Sequence, residues 1–303
     1  MFDKLEDVTY ASFGIVPQEF YKNKFNSVPS HDYLADPVNR FLLGASRIRH
    51  LCRELQGGRV LDLGCGCGPY GLTLKQHGDA DHLTGIDLDP DCAKRAGECY
   101  DEVVTQQALD QLPFPDGSFD AVFSSDFFGH VEFRYKDALI AEVARVLRPG
   151  GRTIHLIESG NYDYLHCNQD DPDDPLRKYV YVDGHIGVES PVAIKRRFEP
   201  YFEQIHLRNA MLFPFFTVQG FINNTDVFGE EFSALLRKFS PAEAQAADIV
   251  SGFICDYLER ELYQENPANL DPTLERNLPR VLKYECGMVF LSGLKKTEQE
   301  FHA

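Results

Sequence analysis

Short apolar runs of strand length alternate along this chain with stretches in which apolar residues recur every three or four positions. Val60, Leu61 and Leu63 form the first run, and it stops at a segment with glycine at every second residue. Further strand-like runs follow at His82–Asp87, Val103–Ala108, Ala121–Ser125, Thr153–Ile157, Phe202–Arg208 and Glu285–Leu294. Helical spacing marks Asp36–Gln56, where Val38, Leu42, Ala45, Ile48 and Leu55 share a stripe, with Asp36-Pro37 as the opening signal and Gly57-Gly58 as the stop. It recurs over Tyr70–Gln76, Pro90–Gly97, Ala138–Leu147 and Pro191–Phe198. Strands that alternate with helices in this way predict an α/β fold built on parallel strands.

The glycine segment carries the first chemistry. Gly64, Gly66 and Gly68 have no side chain to hold off a ligand, and Pro69 suits the first turn of a helix whose positive end would face whatever the turn holds. Gly66, Gly68 and Gly71 satisfy the spacing of a dinucleotide site, but Asp62, two positions before the first glycine, would repel a pyrophosphate. A cationic cofactor end would be attracted instead. Asp87 closes the second strand about 20 residues further on, where a carboxylate of a βαβ unit can accept from ribose hydroxyls. Asp89, rather than Asp87, is the better cap for the helix that begins at Pro90.

The segment D-L-G-C-G-C-G, Asp62 to Gly68, resembles the first motif of class I S-adenosylmethionine-dependent methyltransferases. Three further stretches resemble the same family in the same order: L-P-F-P-D-G-S-F-D ending at Asp120, S-S-D-F-F-G-H-V-E from Ser124, and R-V-L-R-P-G-G ending at Gly151. Together they cover Val60 to Ile157. The resemblance implies a Rossmann-like, doubly wound, mostly parallel seven-stranded sheet, with S-adenosyl-L-methionine as cofactor. It implies a cofactor-binding set of Asp62, Gly64, Cys65, Gly66, Gly68, Asp87, Leu88, Gln107, Ala108, Ser125 and Asp126. The family's polar residue near Ala108 is displaced here, so Gln107, Asp110 or the backbone must accept from the adenine amino group. Ser124, Ser125, Asp126 and His130 fall beside the methionine end.

With 43% hydrophobic and 25% charged residues over 303 positions, the chain can build a large core. A net charge of -17 argues against nucleic acid as substrate. The N-terminus lacks a secretory pattern and no apolar run reaches membrane-span length, so a cytoplasmic protein with reduced thiols is expected. Cys65 and Cys67 are small residues inside the turn and are not expected to bind metal. The domain plan is a lid and helix over residues 1–56, a core over 57–210 plus 284–296, insertions over 158–190 and 211–283, and a tail over 297–303. The first insertion reads as a long loop whose acidic run D-D-P-D-D is solvated. The second holds helices at Glu231–Phe239 and Pro241–Leu262 and reads as a substrate cap or a homodimer surface. Methyl transfer to oxygen or nitrogen can need a base, and His130 and His185 are the candidates. A carboxylate acceptor would need none. The expected substrate is a small or medium organic molecule or a peptide end. The alternatives are a non-catalytic cofactor-binding subunit and an NAD-dependent oxidoreductase.

Overall fold

The computed structural model describes residues 2–25, 51, 54–71, 74–75, 80–109, 111–160, 162–209, 218, 222, 229–262 and 288–297. Its centre is one sheet of strands β1 (Arg59–Leu63), β2 (His82–Asp87), β3 (Glu102–Thr105), β4 (Phe119–Ser125), β5 (Leu147–Glu158), β6 (Phe202–Asn209) and β7 (Met288–Lys295). The strand order is β3-β2-β1-β4-β5-β7-β6. The first five run parallel, and β7 lies antiparallel between β5 and β6. The strand order therefore reverses at β1, with β2 on one side and β4 on the other, the switch point at whose carboxyl ends a parallel sheet leaves room for a ligand.

Successive residues of β1 feed opposite faces of the sheet. Leu61 and Leu63 join Val122, Leu139, Ile140, Val143, Ile194 and Phe198 in one buried cluster. Val60 joins Leu83, Phe123, Ile154, Leu74 and Tyr100 in another. The helices on these layers are α2 (Pro90–Ala96), α3 (Phe133–Val146) and α5 (Pro191–Phe198). Asp89 accepts from the N–H groups of Asp91 and Cys92 and has Pro90 behind it, the cap that the sequence predicts. Most of the expected helix at Asp36–Gln56 lies outside the described residues, as do Gln76 and residues 285–287 of the last expected strand. Leu51 and Glu54 are helical, and so are Gly71, Leu74 and Lys75.

Several elements differ from expectation; β5, for one, begins at Leu147 rather than Thr153, and the helix expected at Glu231–Phe239 spans Glu230–Leu236. Strand β3 ends at Thr105, and Gln106 turns the chain by donating its side-chain amide to the Gln111 carbonyl at 2.9 Å. Helix α3 begins at Phe133, five residues early, because Phe133 and Lys136 are already buried. The acidic insertion is not all loop: it contains α4 (Pro175–Asp183), in which Asp174 caps Leu176 and Arg177 and Gly184 terminates the helix.

A third cluster sits apart from the two sheet faces. Val8, Tyr10, Phe13, Ile15 and Tyr21 from the N-terminal segment, which includes α1 (Pro17–Phe25), pack with Phe133, Tyr164, Val180, Ile186 and Val188. Leu88, just beyond β2, lies against it. The second insertion contributes α6 (Glu230–Leu236) and α7 (Pro241–Leu262). Among the described residues no helix is long and apolar enough to cross a membrane.

Candidate active site

The glycine turn begins where β1 leaves the sheet. The N–H groups of Gly64 and Cys65 both donate to the Ile86 carbonyl, at 2.9 and 3.1 Å, which pins the turn to the end of β2. Gly64 and Gly66 have φ of 70° and 51°, the left-handed region that other residues avoid. Their surroundings differ. A Cβ at Gly64 would lie 2.5 Å from Phe127 Cδ2, whereas one at Gly66 would meet nothing within 4 Å. The bare backbone at Gly64 admits an aromatic ring of the protein, and the open side of the turn is at Gly66. Gly68 backs onto Ala96 and Tyr100, so it serves the packing of α2.

Asp87 stands across the turn. Its Oδ2 accepts from the Gly66 N–H at 2.9 Å and its Oδ1 from the Asp89 N–H at 2.9 Å. Burial raises its pKa, against the lowering effect of those bonds. Asp62 is level with Gly85 in the register of β1 on β2, two residues before Asp87, so both carboxyl groups share a sheet face. Asp62 is 1% exposed and its Oδ2 accepts from Tyr100 O–H at 2.5 Å. Burial, with a smaller contribution from Asp87, pushes it up to about 7 despite that bond. Cys65 is buried, and desolvation lifts its thiol pKa well above the usual range. Gln107 is exposed and Ala108 is buried in the core, while Asp110 lies outside the described residues. Ser125 donates to Asp126 Oδ2 at 3.1 Å and pairs with Tyr70 Oη at 2.9 Å. Asp126 has φ of 56°, a strained conformation for a side-chain-bearing residue, at the carboxyl end of β4.

At the same edge of the sheet, the structure brings together the two histidines that the sequence could name only separately. His130 follows β4 in a single helical turn, His185 follows α4, and Glu158 ends β5 between them. The Nε2 atoms of both rings lie 3.5 Å from Glu158 Oε1. Glu158 Oε2 accepts from the Gly129 N–H at 3.0 Å, while Oε1 is buried with no hydrogen bond of good geometry. Burial alone would raise the Glu158 pKa, but the two imidazoles outweigh it and bring it down to about 2. His130 Nδ1 is 3.0 Å from the Gly184 carbonyl and His185 Nδ1 is 2.6 Å from Tyr179 Oη. The rings are held at 4.6 Å between centroids.

Sequence reasoning did not single out Glu158 or Tyr179 as parts of this site, and it named Tyr10 and Tyr21 only as aromatics of an N-terminal lid. Glu158 reads there as the residue after a strand, and only the fold sets it between residues 130 and 185. The Tyr21 ring meets His130 edge-on at 5.5 Å. Burial raises the Tyr21 phenol pKa, and the nearby Glu158 and Asp87 add to the effect, so Tyr21 is within electrostatic reach of both the turn and the triad.

Residues 61–155 match the family model of a methyltransferase domain. The fatty-acid O-methyltransferase of Mycolicibacterium smegmatis is 31% identical over 178 residues, 57% of this chain and 61% of its own length. The demethylmenaquinone methyltransferase of Thermus thermophilus is 35% identical over 132 residues, 40% of this chain and 59% of its own. The chain thus spans about three fifths of the length of these curated relatives. Among solved structures, a SAM-dependent methyltransferase of Thermotoga maritima shares the fold with a TM-score of 0.52 at 17% identity, covering 92% of this chain and 99% of that one. A phosphoethanolamine N-methyltransferase of Haemonchus contortus does so with 0.50 at 16%, covering 90% and 61%. Strand order, glycine turn and domain match agree: residues 61–155 match a methyltransferase domain, set in a sheet with the Rossmann-like fold of S-adenosylmethionine-dependent methyltransferases.

Proposed function

We propose that this chain transfers a methyl group from S-adenosyl-L-methionine to an oxygen or nitrogen atom of a small or medium organic molecule. The observation that carries the reading is the open side of the turn at Gly66, flanked by Asp87, with Asp62 on the same sheet face. Two carboxyl groups beside a bare backbone fit a positively charged nucleoside and disfavour a pyrophosphate. Gly66 and Asp87 would hold the nucleoside part, with Leu88 beside it. Ser125 and Asp126, at the end of β4, would hold the amino-acid part. When bound, the cofactor supplies an activated methyl group with a good leaving group.

Methyl transfer is then a matter of alignment, which is worth on the order of 7 to 11 kcal/mol when the reacting atoms are well oriented. In this reading the acceptor approaches from the side of the triad. Because a carbonyl can only accept, Gly184 sets a proton on His130 Nδ1 and leaves the Nε2 lone pair for an acceptor's proton. Glu158 stabilises the imidazolium that results, and its position between two rings gives His185 the same capability.

The N-terminal segment packs beside Leu88 and His130 and acts as a lid in this reading. The second insertion, whose helices expose Phe232, Leu235, Val250 and Ile254, supplies a cap or a homodimer surface. A peptide end is a second acceptor class to be screened, and the working compartment is the cytoplasm. Calorimetric titration with S-adenosylmethionine, S-adenosylhomocysteine and NAD tests the proposal. Asp87→Ala should weaken the first two by about 1 to 3 kcal/mol through lost hydrogen bonds to a charged group. Binding of NAD alone would end the methyltransferase reading, and unchanged affinity in Asp87→Ala would remove that residue from the site.

A further inference from the structure

The His130–Glu158–His185 triad has a geometry that proton transfer alone does not require. Each of the three residues offers one ligand atom, and these atoms all lie within 4.8 Å of one another. Two ligand atoms bound about 2.0 to 2.2 Å from one tetrahedral ion lie roughly 3.3 to 3.6 Å apart. Both Nε2-to-Oε1 separations are 3.5 Å.

Each donor is also oriented by a second group, as metal ligands are. Gly184 C=O takes the His130 Nδ1 proton, Tyr179 Oη stands at His185 Nδ1, and the Gly129 N–H holds Glu158 Oε2 so that Oε1 turns inward. The His185 backbone is itself fixed, since Tyr164 O–H donates to its carbonyl at 2.8 Å. Glu158 Oε1 is an independent sign that the site suits a cation. It is a carboxylate oxygen on a side chain only 4% exposed, aimed at two ring nitrogens, with no hydrogen bond of good geometry.

We propose that His130, Glu158 and His185 form a binding site for one divalent transition-metal ion of the zinc type, with its remaining coordination positions open to the acceptor. Two imidazoles and one carboxylate suit zinc, cobalt or ferrous iron and are a poor match for magnesium or calcium, which favour oxygen-only shells. The histidine side chains are 15% and 19% exposed, which leaves a way in for the ion and for a further ligand. The role of the ion rests on the methyltransferase reading and takes the place of His130 and His185 as bases, since their Nε2 lone pairs would be ligands: the ion would take the acceptor's oxygen as a ligand and lower that oxygen's pKa. The O–H proton then passes to water, the oxygen lone pair forms the new O–C bond, and the sulfonium sulfur keeps the electrons of the broken S–C bond. The favoured acceptors are accordingly hydroxyl- or carboxyl-bearing molecules.

The test begins with protein stripped by a chelator and titrated with Co2+ in a visible spectrometer, then with Zn2+ in competition. The expected result is one equivalent of Co2+ with the d–d bands of a low-coordinate nitrogen and oxygen site, displaced by Zn2+. His185→Ala and Glu158→Gln should each weaken binding at least tenfold. Tyr179→Phe, which removes only an orienting group, should weaken it about 10- to 100-fold. Circular dichroism and cooperative unfolding establish that each variant is folded. If Glu158→Gln does not fold, the His185 and Tyr179 variants still decide. Absence of saturable binding by the wild type overturns the site, as do thiolate charge-transfer bands or affinity that survives both ligand variants. S-adenosylhomocysteine binding to the same metal-free sample separates the two readings. If it is retained without metal binding, only the ion site fails; if it is lost while the ion binds, the methyltransferase reading fails.

Discussion

Gly64 and Gly66 are two residues apart and share a left-handed backbone, yet the structure assigns them opposite costs on gaining a methyl group. Gly64→Ala puts a Cβ 2.5 Å from Phe127 Cδ2 and 3.2 Å from its Cε2 and Cγ. Ordinary carbon contacts are about 3.5 to 4.0 Å, so the ring must move by more than about 1 Å. Overpacking of that kind costs about 1 to 3 kcal/mol, and the left-handed backbone adds about 1 to 2 kcal/mol. The sum is a loss of about 2 to 5 kcal/mol in folding stability. Gly66→Ala meets no atom and should lose only the backbone part, about 1 to 2 kcal/mol. Its methyl group would instead project into the open side of the turn, where the cofactor is proposed to lie, and cofactor affinity should fall at least tenfold. Urea unfolding and calorimetric titration with S-adenosylhomocysteine separate the effects. A Gly66→Ala protein that folds well and binds like the wild type would show that the open side is not the cofactor cradle.

Two further outcomes follow from buried ionisable groups. His155 lies between Ser124 Oγ, 2.8 Å from Nδ1, and Thr153 Oγ1, 2.6 Å from Nε2, and burial pushes its pKa down to about 3. Above pH ~6.5 both folded and unfolded chains hold it neutral. Below that, the unfolded chain takes the proton first, so stability falls with pH, by about 3 kcal/mol at pH ~4.5 and about 4 kcal/mol near pH ~3. Denaturant titrations of the wild type and His155→Asn across this range should diverge, and coincident slopes would rule out the assignment. Lys136, buried on α3, donates to the Gly187 carbonyl and to Glu189 Oε2, and Glu189 also pairs with Arg197. Burial lowers the lysine's pKa against the pull of Glu189. Lys136→Met leaves the buried Glu189 with one partner fewer and should cost about 3 to 5 kcal/mol of unfolding free energy. A loss below about 1 kcal/mol would mean that Arg197 alone compensates Glu189.

The fold was legible where local chemistry and tertiary context agree. Strand β2, helix α5 and helix α7 have the ends that their apolar spacing and proline starts predict, and Asp89 caps where a short polar side chain before a proline should. Helix α4 was missed because the acidic run conceals its own start signal: Asp174 is the cap and Pro175 the first helical residue. The end of β3 was misjudged because apolar Ala108 is buried beyond the strand, in the core, after the chain has turned. In the site, the glycine turn was readable because it is contiguous. The neighbours of its members were not: Phe127 against Gly64 and Tyr100 on Asp62 come from segments far away in sequence. For the same reason His130 and His185 could be named singly, but Glu158 between them could not.

The Tyr10 hydroxyl gathers three stretches of chain at one point. It lies 2.6 Å from the Gly184 carbonyl, 3.0 Å from that of His130 and 2.5 Å from the Tyr21 hydroxyl, and the Tyr10 N–H donates to Glu132 Oε1 at 2.7 Å. Peeling the first 25 residues away, Tyr21 with them, would strip the contacts to Gly184, His130 and Glu132 at the same instant. That segment is therefore held as a latch is rather than as a hinge, its contacts with the rest of the chain made or lost together.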